Sequence, residues 1–196
     1  MPDPQSIDSL RKYMRSQRQQ LKSEALKKSA VKLAATIRCT AEFQLSERIA
    51  FYQAINGEAD PGELFKSAIT AGKHCYLPLI RDKRLVFIRH HHDSALITNR
   101  MGIPEPVYNP ESEAAASDLD LVCMPLVAYD KLGTRLGMGG GFYDQSFAFR
   151  LRHGSGKKPT LMGIAHAFQC VPSLNRREWD VPLDCVATED GIAYFN

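Results

Sequence analysis

Between Gly133 and Gly141 the chain places five glycines, with Arg135 inside the run and Asp144 just beyond it. Glycine loses more conformational freedom on folding than any other residue, so such a cluster needs an offsetting reason: left-handed backbone angles or close approach of a ligand. A solvated loop would be rich in Ser, Asn and Asp, whereas this one follows LVCMPLVAYD and runs into Phe142, Tyr143, Phe147 and Phe149. Backbone N–H groups turned toward one concavity bind phosphate oxygens, and a guanidinium adds a planar fork of donors. The chemistry open to this stretch is therefore the holding of an anion, with Arg135 supplying charge. A carboxylate beside a bound polyphosphate can hold Mg²⁺, a hard cation that takes oxygen ligands. Asp144 also reads as an ordinary first-turn acid favoured by the helix dipole, and spacing leaves both readings open. Two nucleotide motifs are excluded: GxxxxGK[ST] is missing, and Phe142 stands where GxGxxG needs its third glycine.

The elements that must aim this turn follow from periodicity. Apolar residues recur at helical spacing from Ile7 through Leu10, Met14, Leu21, Leu26, Ala30, Leu33 and Ile37, so residues 6–39 read as one or two amphipathic helices with a basic outer face. RIAFYQA reads as a strand; then comes a helix capped by Asp60, begun by Pro61 and closed by Gly72. KHCYLPLI and RLVFIRH read as the next strands, an alternation that points to an α/β layer with parallel strands. The Pro-rich, acidic GIPEPVYNPESEAAASDLD is a long connection leading to LDLVCMPLVAY, an apolar run suited to a buried strand. The glycine turn should follow that strand directly and open a helix over about 143–151. After the basic loop RHGSGKKP, TLMGIAHA, DCVATED and IAYF are three further strand candidates.

A chain of 196 residues has room for one sizeable core, and we expect a single domain. The formal charge of +3, with acids and bases interspersed, suits a small anionic ligand and does not call for nucleic acid. Five cysteines without a CxxC pair, most of them in apolar runs, suit a reducing cytoplasm. MPDPQSIDSLRK has no apolar leader core, and no stretch approaches the about 20 apolar residues of a membrane span. A cytoplasmic monomer acting on small molecules is the expectation.

PLVAYDKLGTRLGMGGGFYDQSF resembles the signature of the 5-formyltetrahydrofolate cyclo-ligases, also called methenyltetrahydrofolate synthetases. The likeness extends in order through LRKYMRSQR, FYQAINGEADP, KHCYLPLI, MGIPEP, GIAHAFQCVPSLNRREWDVPLD and VATEDGI, and is strongest to the bacterial branch with GMGGGFYD. It implies a three-layer α/β/α fold with a mostly parallel, Rossmann-like sheet. It also implies ATP- and Mg²⁺-dependent conversion of 5-formyltetrahydrofolate to 5,10-methenyltetrahydrofolate, with ADP and phosphate released through a phosphorylated formyl intermediate. Residue by residue, the ATP site falls on Arg11, Arg15, Arg135, Gly137, Met138, Gly139, Gly140, Gly141, Phe142, Tyr143 and Asp144, with Arg135, Tyr143 and Asp144 at the chemistry. The resemblance gives Mg²⁺ to Asp144 and Asp180, and gives the reduced folate to Gln53, Glu58, Gly139, Gly140, Phe142 and Tyr143. Many relatives carry a basic residue where this chain has Ile7 or Asp8, and many carry a lysine at Gly140; the bacterial branch shares that glycine. Trp179 is a further flat face for a ring.

Two signals are set aside. His90 to His92 lie consecutively, and neighbours on a strand point to opposite faces, so the run reads as a polar strand end rather than a metal site. His166, in an apolar strand, reads as a satisfied core residue. The competing reading is a non-catalytic relative that binds folate, or RNA through the basic amino-terminal helix; two retained acids and Arg135 weigh against it.

Overall fold

The computed structural model describes residues 6–152 and 158–195. Of the sequence readings, residues 153–157 of the basic loop and residues 1–5 of the amino-terminal stretch lie outside them. The amino-terminal stretch forms two helices, α1 (Ile7–Gln19) and α2 (Ser23–Arg38), separated at Gln20–Lys22, followed by a short α3 (Ala41–Gln44). Then come β1 (Arg48–Ala50), α4 (Gly62–Thr70), β2 (His74–Arg81) and β3 (Arg84–Arg89). A short β4 (Leu96–Thr98) follows, and the long connection over residues 102–120 carries β5 (Pro104–Pro106) and β6 (Glu113–Ala114). The chain continues as β7 (Leu121–Pro125), β8 (Ala128–Tyr129), β9 (Arg135–Leu136), α5 (Phe142–Phe147), β10 (Thr160–Ile164), β11 (Cys185–Thr188) and β12 (Gly191–Tyr194).

Eight strands form one sheet in the order β12-β11-β10-β7-β1-β2-β3-β6. The five central strands run parallel, and the antiparallel pairs β11–β12, β2–β3 and β3–β6 finish the edges. The third strand, expected within the parallel layer, is therefore antiparallel: the tight Asp82–Lys83 turn, both residues at positive φ, leaves no length for a crossover. Along β7, Leu121 and Cys123 face a core shared with Leu33, Ile37 and Leu64 of α2 and α4, while Val122 and Met124 face a second core containing Phe147 of α5. That period-2 alternation places helices on both faces of a mostly parallel sheet.

The sheet has a switch point between β1 and β7, from which the order grows toward β2 on one side and toward β10 on the other. Loops leaving the carboxyl ends of such neighbouring strands diverge and open a crevice. The run 119–129 is not one strand: β7 ends at Pro125, and the chain leaves the main sheet for a β8–β9 hairpin before the glycine turn. The helix expected over 143–151 is α5 followed by a 3₁₀ turn at Ala148–Arg152.

Gly163 of β10 shows how tightly this core is closed. A Cβ there would lie 2.6 Å from Val186 Cγ2, 2.7 Å from Leu183 Cδ1 and 2.8 Å from Leu126 Cδ2. Overpacking a closed core costs about 1–3 kcal/mol, so Gly163→Ala should lower the unfolding free energy by that amount in a urea titration.

Candidate active site

The β8–β9 hairpin is held from both ends. Buried Asp130 accepts N–H bonds from Leu132 (2.9 Å) and Thr134 (3.0 Å) through one oxygen, and from Leu174 (2.9 Å) through the other. On its outer side α1 packs Leu10 and Met14 against Val127, Ala128 and Leu136. Arg135, fixed on β9, donates from Nη2 to Asp144 Oδ1 at 2.6 Å, and the Val181 N–H reaches the same oxygen at 3.0 Å. The hairpin, the start of α5 and the segment at Val181 thus meet on one carboxylate oxygen. The Arg135 side chain is only 4% exposed and its Nε has no partner among the described residues, a donor left for a ligand or a water.

The glycine turn between them needs its composition. Gly139 and Gly141 sit at φ +106° and +64°, and a Cβ on Gly140 would lie 2.5 Å from the Phe142 ring. Arg11, reaching from α1, donates from Nε to the Gly137 carbonyl at 3.0 Å and from Nη1 to Asp8 at 2.8 Å. Because α5 is only six residues long, an anion held here would rest on the turn's backbone and the arginines rather than on a long helix dipole.

Two clefts lie on either side of the turn. The first, about 600 Å³, is walled by Arg11, Arg135, Gly139, Asp144, Trp179 and Asp180, among others. Asp180 accepts the Arg177 N–H through Oδ2 at 2.8 Å, and the Arg177 guanidinium stands 5.5 Å over the Trp179 ring. Among the described residues no hydrogen bond reaches Asp144 Oδ2 or Asp180 Oδ1, and no group of three or more His, Cys, Asp or Glu gathers to hold a metal. Two carboxylates with free oxygens suit Mg²⁺, which binds through one or two protein carboxylates and completes its shell with water and phosphate oxygens.

The second cleft, about 390 Å³, is more apolar and includes Gln53, Leu77, Ile80, Ile103, Phe142 and Tyr143. Its acids are Glu58, Glu105 and Asp144. Glu58 accepts from the Ile55 N–H at 3.1 Å and from Arg18 Nη1 at 3.4 Å. Burial pushes its carboxyl above the ordinary value, with the Ile55 N–H and Arg18 pulling the other way. Glu105 accepts the Ile80 N–H at 3.2 Å. Burial also pushes the Tyr143 phenol well up, so it stays protonated at neutral pH. Arg135, Gly137, Gly141 and Asp144 line both clefts.

The model of the 5-formyltetrahydrofolate cyclo-ligase family matches residues 4–189. The chain belongs to this family. It is 36% identical over 151 residues to the Escherichia coli K12 5-formyltetrahydrofolate cyclo-ligase, covering 76% of this chain and 81% of that one. The Haemophilus influenzae cyclo-ligase is 37% identical over 145 residues, 72% of this chain and 75% of that one. The solved NMR structure of Aquifex aeolicus 5,10-methenyltetrahydrofolate synthetase superposes with a TM-score of 0.82 at 29% identity, covering 97% of this chain and 93% of that one. A synthetase from Mycoplasma pneumoniae, at 22% identity and a TM-score of 0.71 over 94% of this chain and 99% of that one, shares the fold.

Within this cyclo-ligase family frame, the structure sorts the residues named from sequence. Arg11, Gly139 and Asp180 line the first cleft only; Gln53, Glu58, Met138, Gly140, Phe142 and Tyr143 line the second only. Arg15, expected with the ATP phosphates, lies on the second cleft. His90 is buried, with His91 and His92 exposed beyond it, and His166 is buried with Nε2 3.0 Å from the Gly57 carbonyl oxygen. Sequence reasoning missed Glu105, whose only signal was an acid between two prolines, and the Arg18 partner of Glu58. Among the described residues no helix is long and apolar enough to cross a membrane.

Burial lowers the pKa of His166 and of His90 from their ordinary 6.5. Each is held neutral in the fold while its unfolded counterpart takes a proton, so stability is full above about pH 6.5 and is lost as pH falls below it. Unfolding free energy should therefore drop between pH 7 and 5.5, and the His90→Gln/His166→Gln double variant should show a flatter slope over that window.

Proposed function

We propose that this chain converts 5-formyltetrahydrofolate to 5,10-methenyltetrahydrofolate at the expense of ATP, with Mg²⁺. The observation that carries the reading is the pair of clefts meeting at one glycine turn, with Arg135 and Asp144 on both sides of it. A reaction that passes a phosphoryl group between two substrates needs them end to end across such a wall. ATP lies in the first cleft, its phosphates on the turn's backbone with Arg11 and Arg135, and Trp179 offers its face to the base. The reduced pterin lies in the second, its flat ring against Phe142 and Tyr143 and its N–H donors toward Glu58.

An N-formyl oxygen does not leave as oxide. Its attack on the γ-phosphorus forms a C–O–P link as the bond to ADP breaks; N10 then adds to the formyl carbon, phosphate departs with the C–O bond, and N10 loses its proton. Little covalent work falls to the protein, so the positioning of the reacting groups and charge stabilisation dominate. Asp144 and Asp180 would hold Mg²⁺, which supplies neutralisation of the charge on the transferring group. Arg135 orients Asp144 by tying down Oδ1 and leaves Oδ2 without a partner among the described residues. The partly buried Phe142 and the protonated Tyr143 help keep water from the reacting carbon.

Purified protein should raise methenyl absorbance from 5-formyltetrahydrofolate only when ATP and Mg²⁺ are both present. Asp144→Ala should lower kcat by about 10²–10³-fold, the scale for losing a charge-stabilising group at a reacting centre. A folded wild-type protein that yields no product under these conditions would falsify the reading.

A further inference from the structure

The second cleft holds five charged residues along its lining, and four of them are engaged. Arg135 and Asp144 pair with each other, Glu58 with Arg18 and the Ile55 N–H, and Glu105 with the Ile80 N–H. The fifth, Arg15, makes no hydrogen bond or ion pair among the described residues. It is exposed at the rim, whereas Glu58 and Glu105 are buried. We propose that Arg15 binds a carboxylate of the glutamyl tail of the reduced folate, the one anionic part of that substrate. This rests on the reaction proposed above.

The chemistry of the cleft leaves few alternatives for that tail. With its pterin in the cleft, a reduced folate sends its benzoyl-glutamate toward solvent, past Glu58, Glu105 and the Arg135–Asp144 pair, and the one unpaired cation on the lining among the described residues is Arg15, at the mouth. Helix geometry separates Arg15 from the phosphates. Arg11 and Arg15 are four residues apart on α1, one turn or about 6 Å along the axis. Arg11 is fixed by the Gly137 carbonyl and Asp8 and lines the first cleft; Arg15 lines the second. Packing of α1 on the β8–β9 hairpin thus delivers one cation to each substrate.

The test compares 5-formyltetrahydrofolate with its neutral analogue in which a carboxamide replaces the glutamate, keeping N5 and N10. Dissociation constants are measured calorimetrically and kcat/KM from methenyl formation, for wild type, Arg15→Gln and Arg15→Lys. Arg15→Gln should weaken binding of the parent folate about tenfold, within reach of one charge-assisted hydrogen bond. It should bind the carboxamide as wild type does, leave the KM for ATP within about twofold, and melt at the wild-type temperature; Arg15→Lys should recover part of the loss. An equal loss on the carboxamide, or a change confined to ATP, overturns the assignment. Wild-type folate binding without turnover overturns the proposed reaction and leaves the tail contact to be decided by the binding comparison; no folate binding at all overturns both.

Discussion

One carboxylate oxygen, Asp144 Oδ1, joins the parts of the site. It receives the Arg135 guanidinium from the hairpin and the Val181 N–H from the segment that carries Trp179 and Asp180, while its own backbone begins α5. A partly buried ion pair of this kind contributes little net stability, since desolvating both charges offsets most of their attraction. Its value is geometric. The hairpin, the start of α5 and the segment at Val181 are brought to one point, and the other oxygen of Asp144 has no partner among the described residues. The unpartnered Arg135 Nε fits the same picture of a junction completed by a ligand or water.

The fold creates this junction through the strand order. Because β1 and β7 are neighbours whose following strands extend in opposite directions, the loop after β1, with Gln53 and Glu58, and the excursion after β7, with the glycine turn, separate above the sheet. The cores on the two faces hold the strands rigid beneath them, and the clefts are walled by loops. The loop carrying Glu58 is itself clamped. The Arg18 side chain reaches Glu58, the Gly57 carbonyl meets His166, and a Cβ on Gly57 would lie 2.6 Å from the Arg18 carbonyl oxygen. Burying these polar groups is unfavourable in isolation and is tolerated because most find partners. The result is an acid held at fixed height beside the apolar wall of the second cleft.

The excursion from the main sheet also explains why the amino-terminal helix belongs to the site. A two-stranded hairpin alone is marginal in water, and α1 covers its outer face with Leu10 and Met14. The same docking brings the α1 arginines against both clefts, so a contact that stabilises the hairpin also sets where cations stand.

The sequence by itself determined much of this. Helical spacing marked α1 and α2, alternation and apolar runs marked the parallel strands, and the glycines, Arg135 and Asp144 pointed to the anion site proposed above, because those signals arise from local backbone preference and residue chemistry. The resemblance carried in GMGGGFYDQSF and EWDVP brought Asp180 into the same reading. Tertiary structure decided the rest. The hairpin between β7 and the glycine turn was invisible because an apolar run reads alike whether it stays in the sheet or leaves it. The antiparallel course of β3 depended on a two-residue turn at positive φ. Division of the basic residues between two clefts, Arg11 on one and Arg15 on the other, with Arg18 buried behind Glu58, is a matter of which way a helix is rolled against its neighbour. Helical period shows which residues share a face, but only packing against the hairpin decides what each face meets.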